Sequence, residues 1–271
     1  MLNQNVSFFP GCEQVGQLNL RLHQLAENNT KLVLDQRLRL PALLVIADEG
    51  ADLDNNVMSI VHQLQQDKLI QFACAEPMIV YEPKHSEADI NQLLDQMDNC
   101  SGYHNGYTGV VIVQLGKDLR ASDNVVQYLM RLVADQQGKA MFILTALKSM
   151  PAQQLNNIAR QLSAMVPLEM LQLTAAKPDH LADYFEQLLY DQGFGLSRDA
   201  RMALPECIAQ WMRQNTACAT LPGMVAMRDK VVFNAVASRP MVRQQIQLAD
   251  LHLTTFTQLP DARREHRTIG F

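Results

Sequence analysis

The chain has 271 residues and 30.5 kDa, 48% hydrophobic and 19% charged, the balance of a soluble globular protein long enough for one large domain or a core with a small satellite. Lys and Arg number 23 against 28 Asp and Glu, for a net charge of -5. No global positive field draws in a phosphate backbone, which counts against generic nucleic-acid coating.

Met1 to Asn5 carries neither the basic segment nor the apolar stretch of a signal peptide, and the longest aliphatic runs, Leu43 to Ala47 and Val110 to Val113, are far too short to cross a bilayer. No membrane association and a cytoplasmic location are the expectations. The five cysteines, Cys12, Cys74, Cys100, Cys207 and Cys218, are odd in number and lack C-x-x-C spacing, the pattern of free thiols in a reducing compartment.

In chain order, Gly11-Cys12-Glu13-Gln14-Val15 opens a first helix. Four strand-length aliphatic runs follow: Ala42 to Ala47, Val110 to Leu115, Met141 to Thr145 and Leu168 to Leu173; three of them read as buried parallel strands. Between them lie segments of helical period, Val57, Ile60, Val61 and Leu64, then Ile90, Leu93, Leu94 and Met97, then Val125, Val126, Leu129, Met130 and Val133. Alternation of this kind builds a sheet with helices on both faces. Met78 to Tyr81 is a candidate edge strand, and Ser86 a cap for the helix after it. The loop Ser101 to Tyr107, rich in glycine, aromatics and amide, precedes the next strand and reads as a turn or a partner contact.

After Leu173 the pattern becomes helical. Leu181, Tyr184, Phe185, Leu188 and Leu189 mark a helix that stops at Gly193, and no convincing strand follows. Ser197 caps the next helix, Pro205 interrupts or restarts it, and Ile208, Trp211 and Met212 continue an apolar face; a last helix lies near Met227 to Ala237. The expected division is an α/β core over 1–173, a helical lid over 174–259 and a charged tail over 260–271 that includes Arg263-Arg264-Glu265-His266-Arg267.

The opening Gly11 to Val15, the run Leu181-Ala182-Asp183-Tyr184-Phe185 to Gly193-Phe194, and Leu196-Ser197-Arg198-Asp199-Ala200-Arg201 resemble the CbbX and stage V sporulation protein K group of AAA+ ATPases, over about Phe8 to Arg239. The resemblance implies a P-loop NTPase-like (AAA+) parallel-sheet core with a small C-terminal helical lid. It also implies ring assembly, with Mg·ATP bound at subunit boundaries.

The residues depart from that chemistry. Laid on G-x-x-x-x-G-K-[ST], the loop after the first strand puts Ala47 at the first glycine, Asp52 at the second, Leu53 at the lysine and Asp54 at the hydroxyl, with Gly50 between. A phosphate cradle aims free backbone N–H groups and a helix N-terminus at anionic oxygens. Asp48, Glu49, Asp52 and Asp54 surround that terminus here, satisfying its donors and repelling a triphosphate. Asp54 or Asp52 reads as the helix N-cap, with a divalent-cation site as the alternative.

Further along, Gln114-Leu115 stands where the resemblance places an Asp-Glu pair for metal and water, and Thr145 stands at the sensor position. Its arginine finger aligns with Met165 in Ala164-Met165-Val166-Pro167, and its lid arginine with Met224 in Pro222-Gly223-Met224; Arg160 and Arg228 lie about one turn away. These positions form a degenerate pocket with no catalytic residue, no bound metal and no cofactor expected; ATP with magnesium is the alternative.

Elsewhere the seven histidines are scattered without ligand-pair spacing, and G-x-S-x-G is absent. Met202, Met212, Met224 and Met227 gather in the lid, as core or as an adaptable docking surface, and the face around Trp211, Met212 and Met224 is the candidate partner contact. The leading expectation is a catalytically inactive AAA+ subunit, structural or regulatory, with a protein partner such as an active AAA+ relative and at most weak self-association. One alternative still binds or slowly hydrolyses ATP through a non-standard pocket. Another is a DNA-associated, clamp-loader-like subunit.

Overall fold

The computed structural model describes residues 9–31, 40–70, 78–83, 88–101, 109–137, 140–238 and 244–251. Helix α1 (Glu13–Lys31) precedes strand β1 (Ala42–Ala47), which is followed by α2 (Leu53–Gln66), β2 (Met78–Tyr81), α3 (Ala88–Ser101) and β3 (Val110–Leu115). Then come α4 (Asn124–Asp135), β4 (Met141–Leu147), α5 (Ala152–Met165) and β5 (Leu168–Leu173). The five strands form one parallel sheet in the order β2-β3-β4-β1-β5.

The aliphatic runs are continuous because the sheet is covered on both sides. Leu43, Val45 and Ala47 pack with Val15, Leu18 and Leu22 of α1 and Val57, Ile60 and Leu64 of α2. Leu44 turns to the other face, where Val111, Val113, Phe142 and Leu144 meet Leu93 of α3, Leu129 of α4 and Ile158 of α5. Each fully buried Leu, Val or Ile in these layers contributes ~1.5–3 kcal/mol. The three interior strands are the three runs of densest apolar character, and β2 and β5 are the edges; Met78 to Tyr81 is an edge strand as its length suggested. Strand β4 continues to Leu147, two residues past the expected end, so Thr145 lies inside the strand rather than at its tip.

The second part has a core of its own. Helices α6 (Pro178–Asp191), α7 (Arg198–Gln214), α8 (Leu221–Ser238) and the short α9 (Leu248–Leu251) bury Leu181, Phe185, Leu204, Ile208, Trp211, Met224 and Val231 together. Phe185 and Trp211 meet edge-on with ring centroids 5.6 Å apart. The end of α6 is closed by Gly193 at φ 82°, with the Phe194 N–H donating to the Leu189 carbonyl at 2.9 Å.

Four expectations need correction here. Pro205 neither interrupts nor restarts α7, which runs unbroken with the proline inside it; Ser197 caps that helix by accepting from the Ala200 N–H at 3.2 Å. Two-residue parallel strands β6 (Gly195–Leu196) and β7 (Gln245–Ile246) do follow Leu173; so short a pairing leaves no period in the sequence to read. Helix α8 starts at Leu221, six residues before Met227, where Thr220 Oγ1 accepts from the Gly223 N–H at 3.2 Å.

The face around Trp211, Met212 and Met224 is not a docking surface. Trp211 and Met224 are buried and Met212 packs against the same core, whereas Met202 is 74% exposed. Ser86, Cys74, residues 102–107 and the tail 260–271 lie outside the described residues.

Candidate functional site

The loop from β1 to α2 leaves the sheet between β4 and β5. The Asp48 N–H donates to the Leu173 carbonyl at 2.9 Å, and the Lys148 N–H to the Ala47 carbonyl at 2.8 Å. Within the loop, the Ala51 N–H donates to Asp48 O at 3.0 Å and the Leu53 N–H to Ala51 O at 2.9 Å, with Gly50 at φ 84° making the bend. A phosphate cradle needs such donors free; here these two are turned onto the loop's own carbonyls. Lys148 Nζ lies 2.9 Å from Asp48 Oδ1, an ion pair whose lysine is largely exposed.

Helix α2 has Asp52 at its N-cap, and Asp54 lies within the first turn. Of the two expected candidates, Asp52 rather than Asp54 therefore holds the N-cap position. Nor does the Asp52 carboxylate bond back to its own helix N–H groups. Its Oδ1 accepts from Asn55 Nδ2 at 2.7 Å, its Oδ2 accepts from the Leu221 N–H at 3.3 Å, and its carbonyl accepts from Asn56 Nδ2 at 2.5 Å. The Cys12 thiol, on the wall of the same loop region, has its pKa pushed up to about 11, chiefly by burial. That cysteine stays a neutral thiol and is a poor nucleophile.

A cavity of about 320 Å³ lies over the carboxyl ends of the strands and brings together Leu53, Gln114, Leu115 and Thr145, with Glu82, Lys117 and Ser149 on its walls. Gln114 and Thr145 are register partners on β3 and β4, and the Thr145 hydroxyl donates inward to the Val113 carbonyl at 3.4 Å. Leu115 is buried in the layer on the α4 and α5 side, and Ala47 is fully buried.

Met165 and Met224 do not join this cavity: Met165 is 44% exposed at the end of α5, and Met224 is in the core that α6 to α9 share. The neighbouring arginines act locally. Arg160 bonds Asn157 Oδ1 at 3.1 Å, and the Arg228 guanidinium bonds Asp229 Oδ1 at 2.7 and 2.9 Å.

A second cavity, about 530 Å³, runs between α1, α2 and the helices α6 and α8, with Cys12, Asn19, His23, Asp52, Tyr184 and Leu221 among its walls. Asn19 Nδ2 donates to Ser59 Oγ at 2.9 Å, while His23 Nδ1 lies 2.9 Å from Asp67 Oδ1, a contact that raises the histidine pKa. The Phe9 ring meets Tyr184 of α6 edge-on at 5.3 Å. The turn behind Phe9 is built around Gly11 at φ 85°, whose carbonyl accepts from the Thr174 N–H at 3.0 Å. Sequence reasoning missed the pairings of Asp52 with Leu221 and of Phe9 with Tyr184. No local pattern signals them, because 169 residues separate the first pair.

Among the described residues no group of three or more His, Cys, Asp or Glu side chains is placed to hold a metal ion, and no helix is long and apolar enough to cross a membrane.

No family model and no curated protein matches the chain. Among solved structures, a RuvB variant of Thermotoga maritima is similar at TM-score 0.48 and 14% identity, over 90% of this chain and 68% of that one. The Bacillus subtilis DNA clamp loader delta protein is similar at TM-score 0.42 and 11% identity, over 88% of this chain and 62% of that one. The fold is α/β, a five-stranded parallel sheet covered by helices and followed by a helical part, on the strand order and layering described above.

Proposed function

We propose that the chain is a catalytically inactive AAA+ subunit that serves as a structural or regulatory partner in a protein assembly. The observation that carries this reading is the β1–α2 loop, whose Ala51 and Leu53 N–H groups bond the loop's own carbonyls while Asp48, Glu49, Asp52 and Asp54 crowd the terminus a phosphate would need. Leu53 supplies no cation, and Gln114 and Leu115 offer neither a metal carboxylate nor a general base. The division into a core over 1–173, a lid over 174–259 and a tail over 260–271 belongs to this reading, as do the CbbX and sporulation protein K relationship and a cytoplasmic location.

A wedge with a core face and a lid face suits heterologous contacts that close a ring or end a stack. With no nucleotide to cement those faces, self-association is weak and the stronger partner is another protein, such as an active AAA+ relative. Sedimentation with and without Mg·ATP tests this. A monomer or dimer indifferent to nucleotide is expected, while a hexamer that forms only with Mg·ATP favours the ATP-binding alternative. Salt-dependent binding of duplex DNA at micromolar protein would favour the loader reading instead.

A further inference from the structure

We infer that the Asp52 carboxylate is a built-in latch that holds the lid on the core, standing where a ligand's anionic oxygen would otherwise join them. The inference deepens the proposed reading and rests on it for the absence of a competing phosphate.

Two helix N-termini converge at this point. Asp52 is the N-cap of α2, and Leu221 is the first residue of α8. Helix N-termini present unpaired N–H groups and positive partial charge, so their convergence calls for an anion. Asp52 provides it from within the chain: one oxygen accepts from Asn55 on α2 and the other from the Leu221 N–H on α8. Asp52 is 8% exposed and Leu221 is 40% exposed, so the contact is partly shielded from water, which strengthens a charge-assisted hydrogen bond.

The latch is anchored from behind. Asn56, also nearly buried, donates to the Asp52 carbonyl, and Cys12, on the same cavity wall, belongs to the turn that Gly11 docks on Thr174. From the same turn, Phe9 reaches Tyr184 on α6. The lid is thus pinned at α6 by a ring contact and at α8 by a carboxylate. Both pins lie on the wall of the 530 Å³ cavity and neither needs a ligand.

The test is a double-mutant cycle on the full chain, read by amide hydrogen exchange. Asp52→Ala removes the acceptor. Leu221→Pro removes the donor at a position where proline suits a helix start, so it spares the fold even if Asp52→Ala does not. Each variant is expected to speed exchange in the first turn of α8 about 10- to 100-fold, the range of a hydrogen bond to a charged group. Exchange around Leu204 and Trp211 in α7 should be unchanged. The double variant should be no faster than either single one.

Wild-type exchange in either single variant, multiplying effects, or equal loosening of α7 overturns the latch. Mg·ATP serves as a separate arm on the wild type. Protection of α8 by Mg·ATP contradicts the inactive-pocket reading, whatever the cycle shows, so the two ideas fail independently.

Discussion

Replacing Gly11 with alanine tests how the N-terminal turn is fixed to the sheet. At φ 85° an alanine carries the strain of the left-handed region, ~1–2 kcal/mol. Its Cβ would also lie 2.1 Å from the Thr174 carbonyl oxygen, a backbone atom that no rotamer change can move aside. The turn must back away and give up the Thr174 N–H bond to Gly11, worth ~0.5–1.5 kcal/mol, together with part of the Phe9–Tyr184 contact, worth a similar amount. The expected loss is about 2–4 kcal/mol, less ~0.4–1 kcal/mol recovered because alanine restricts the unfolded chain. Gly50→Ala is the control: its φ is 84°, but nothing lies within 4 Å of the added Cβ, so only the ~1–2 kcal/mol of conformational strain, less the same unfolded-state recovery, is expected. Urea unfolding of both variants measures the difference. A Gly11→Ala loss no larger than the Gly50→Ala loss would refute the docking argument.

The acids of the β1–α2 loop separate in the same assay. Asp54→Ala should change stability by less than about 0.5 kcal/mol, whereas Asp52→Ala, which empties a nearly buried acceptor shared by two helices, should cost about 1.5–3 kcal/mol. His23 gives a pH signature. The hydrogen bond that His23 donates to the Asp67 carboxylate, then that carboxylate's charge, raises the histidine pKa above its ordinary 6.5. Its stabilising contribution is therefore full below the unfolded value and lost as pH rises through the folded one. The melting-temperature gap between wild type and His23→Gln should be widest below the unfolded value of 6.5 and narrow as the pH rises above it; a gap that is flat or widens with pH contradicts the pairing.

The sheet was legible because its signal is local. A strand buried on both faces reads as an unbroken aliphatic run, as in Ala42 to Ala47, and helices on a covered sheet show apolar positions such as Val57, Ile60, Val61 and Leu64. The gathering of Leu53, Gln114, Leu115 and Thr145 around one cavity was also foreseeable, since crossovers bring the carboxyl ends of parallel strands together. Contacts between distant segments were not legible. Asp52 shows an N-cap position by residue type, but only packing reveals that its carboxylate accepts from the Leu221 N–H rather than from the backbone N–H groups of its own helix. The lid misled for a related reason. Helix α8 is apolar on most sides, so Met224 gives no sign of which face turns inward, and burial with Trp211 follows only once α6 and α7 are in place. Pro205 failed as a stop signal because tertiary packing of Leu204 and Ile208 holds the helix through it.

Thermal unfolding with and without Mg·ATP tests the central claim most directly. A ligand present at a hundred times its Kd stabilises the native state by ~2.7 kcal/mol. For a chain of this size that corresponds to a rise in Tm of about 5 °C or more. With the Ala51 and Leu53 donors engaged and Leu53 at the cation's position, the account predicts no shift at millimolar Mg·ATP. A reproducible, saturable rise of several degrees would contradict it.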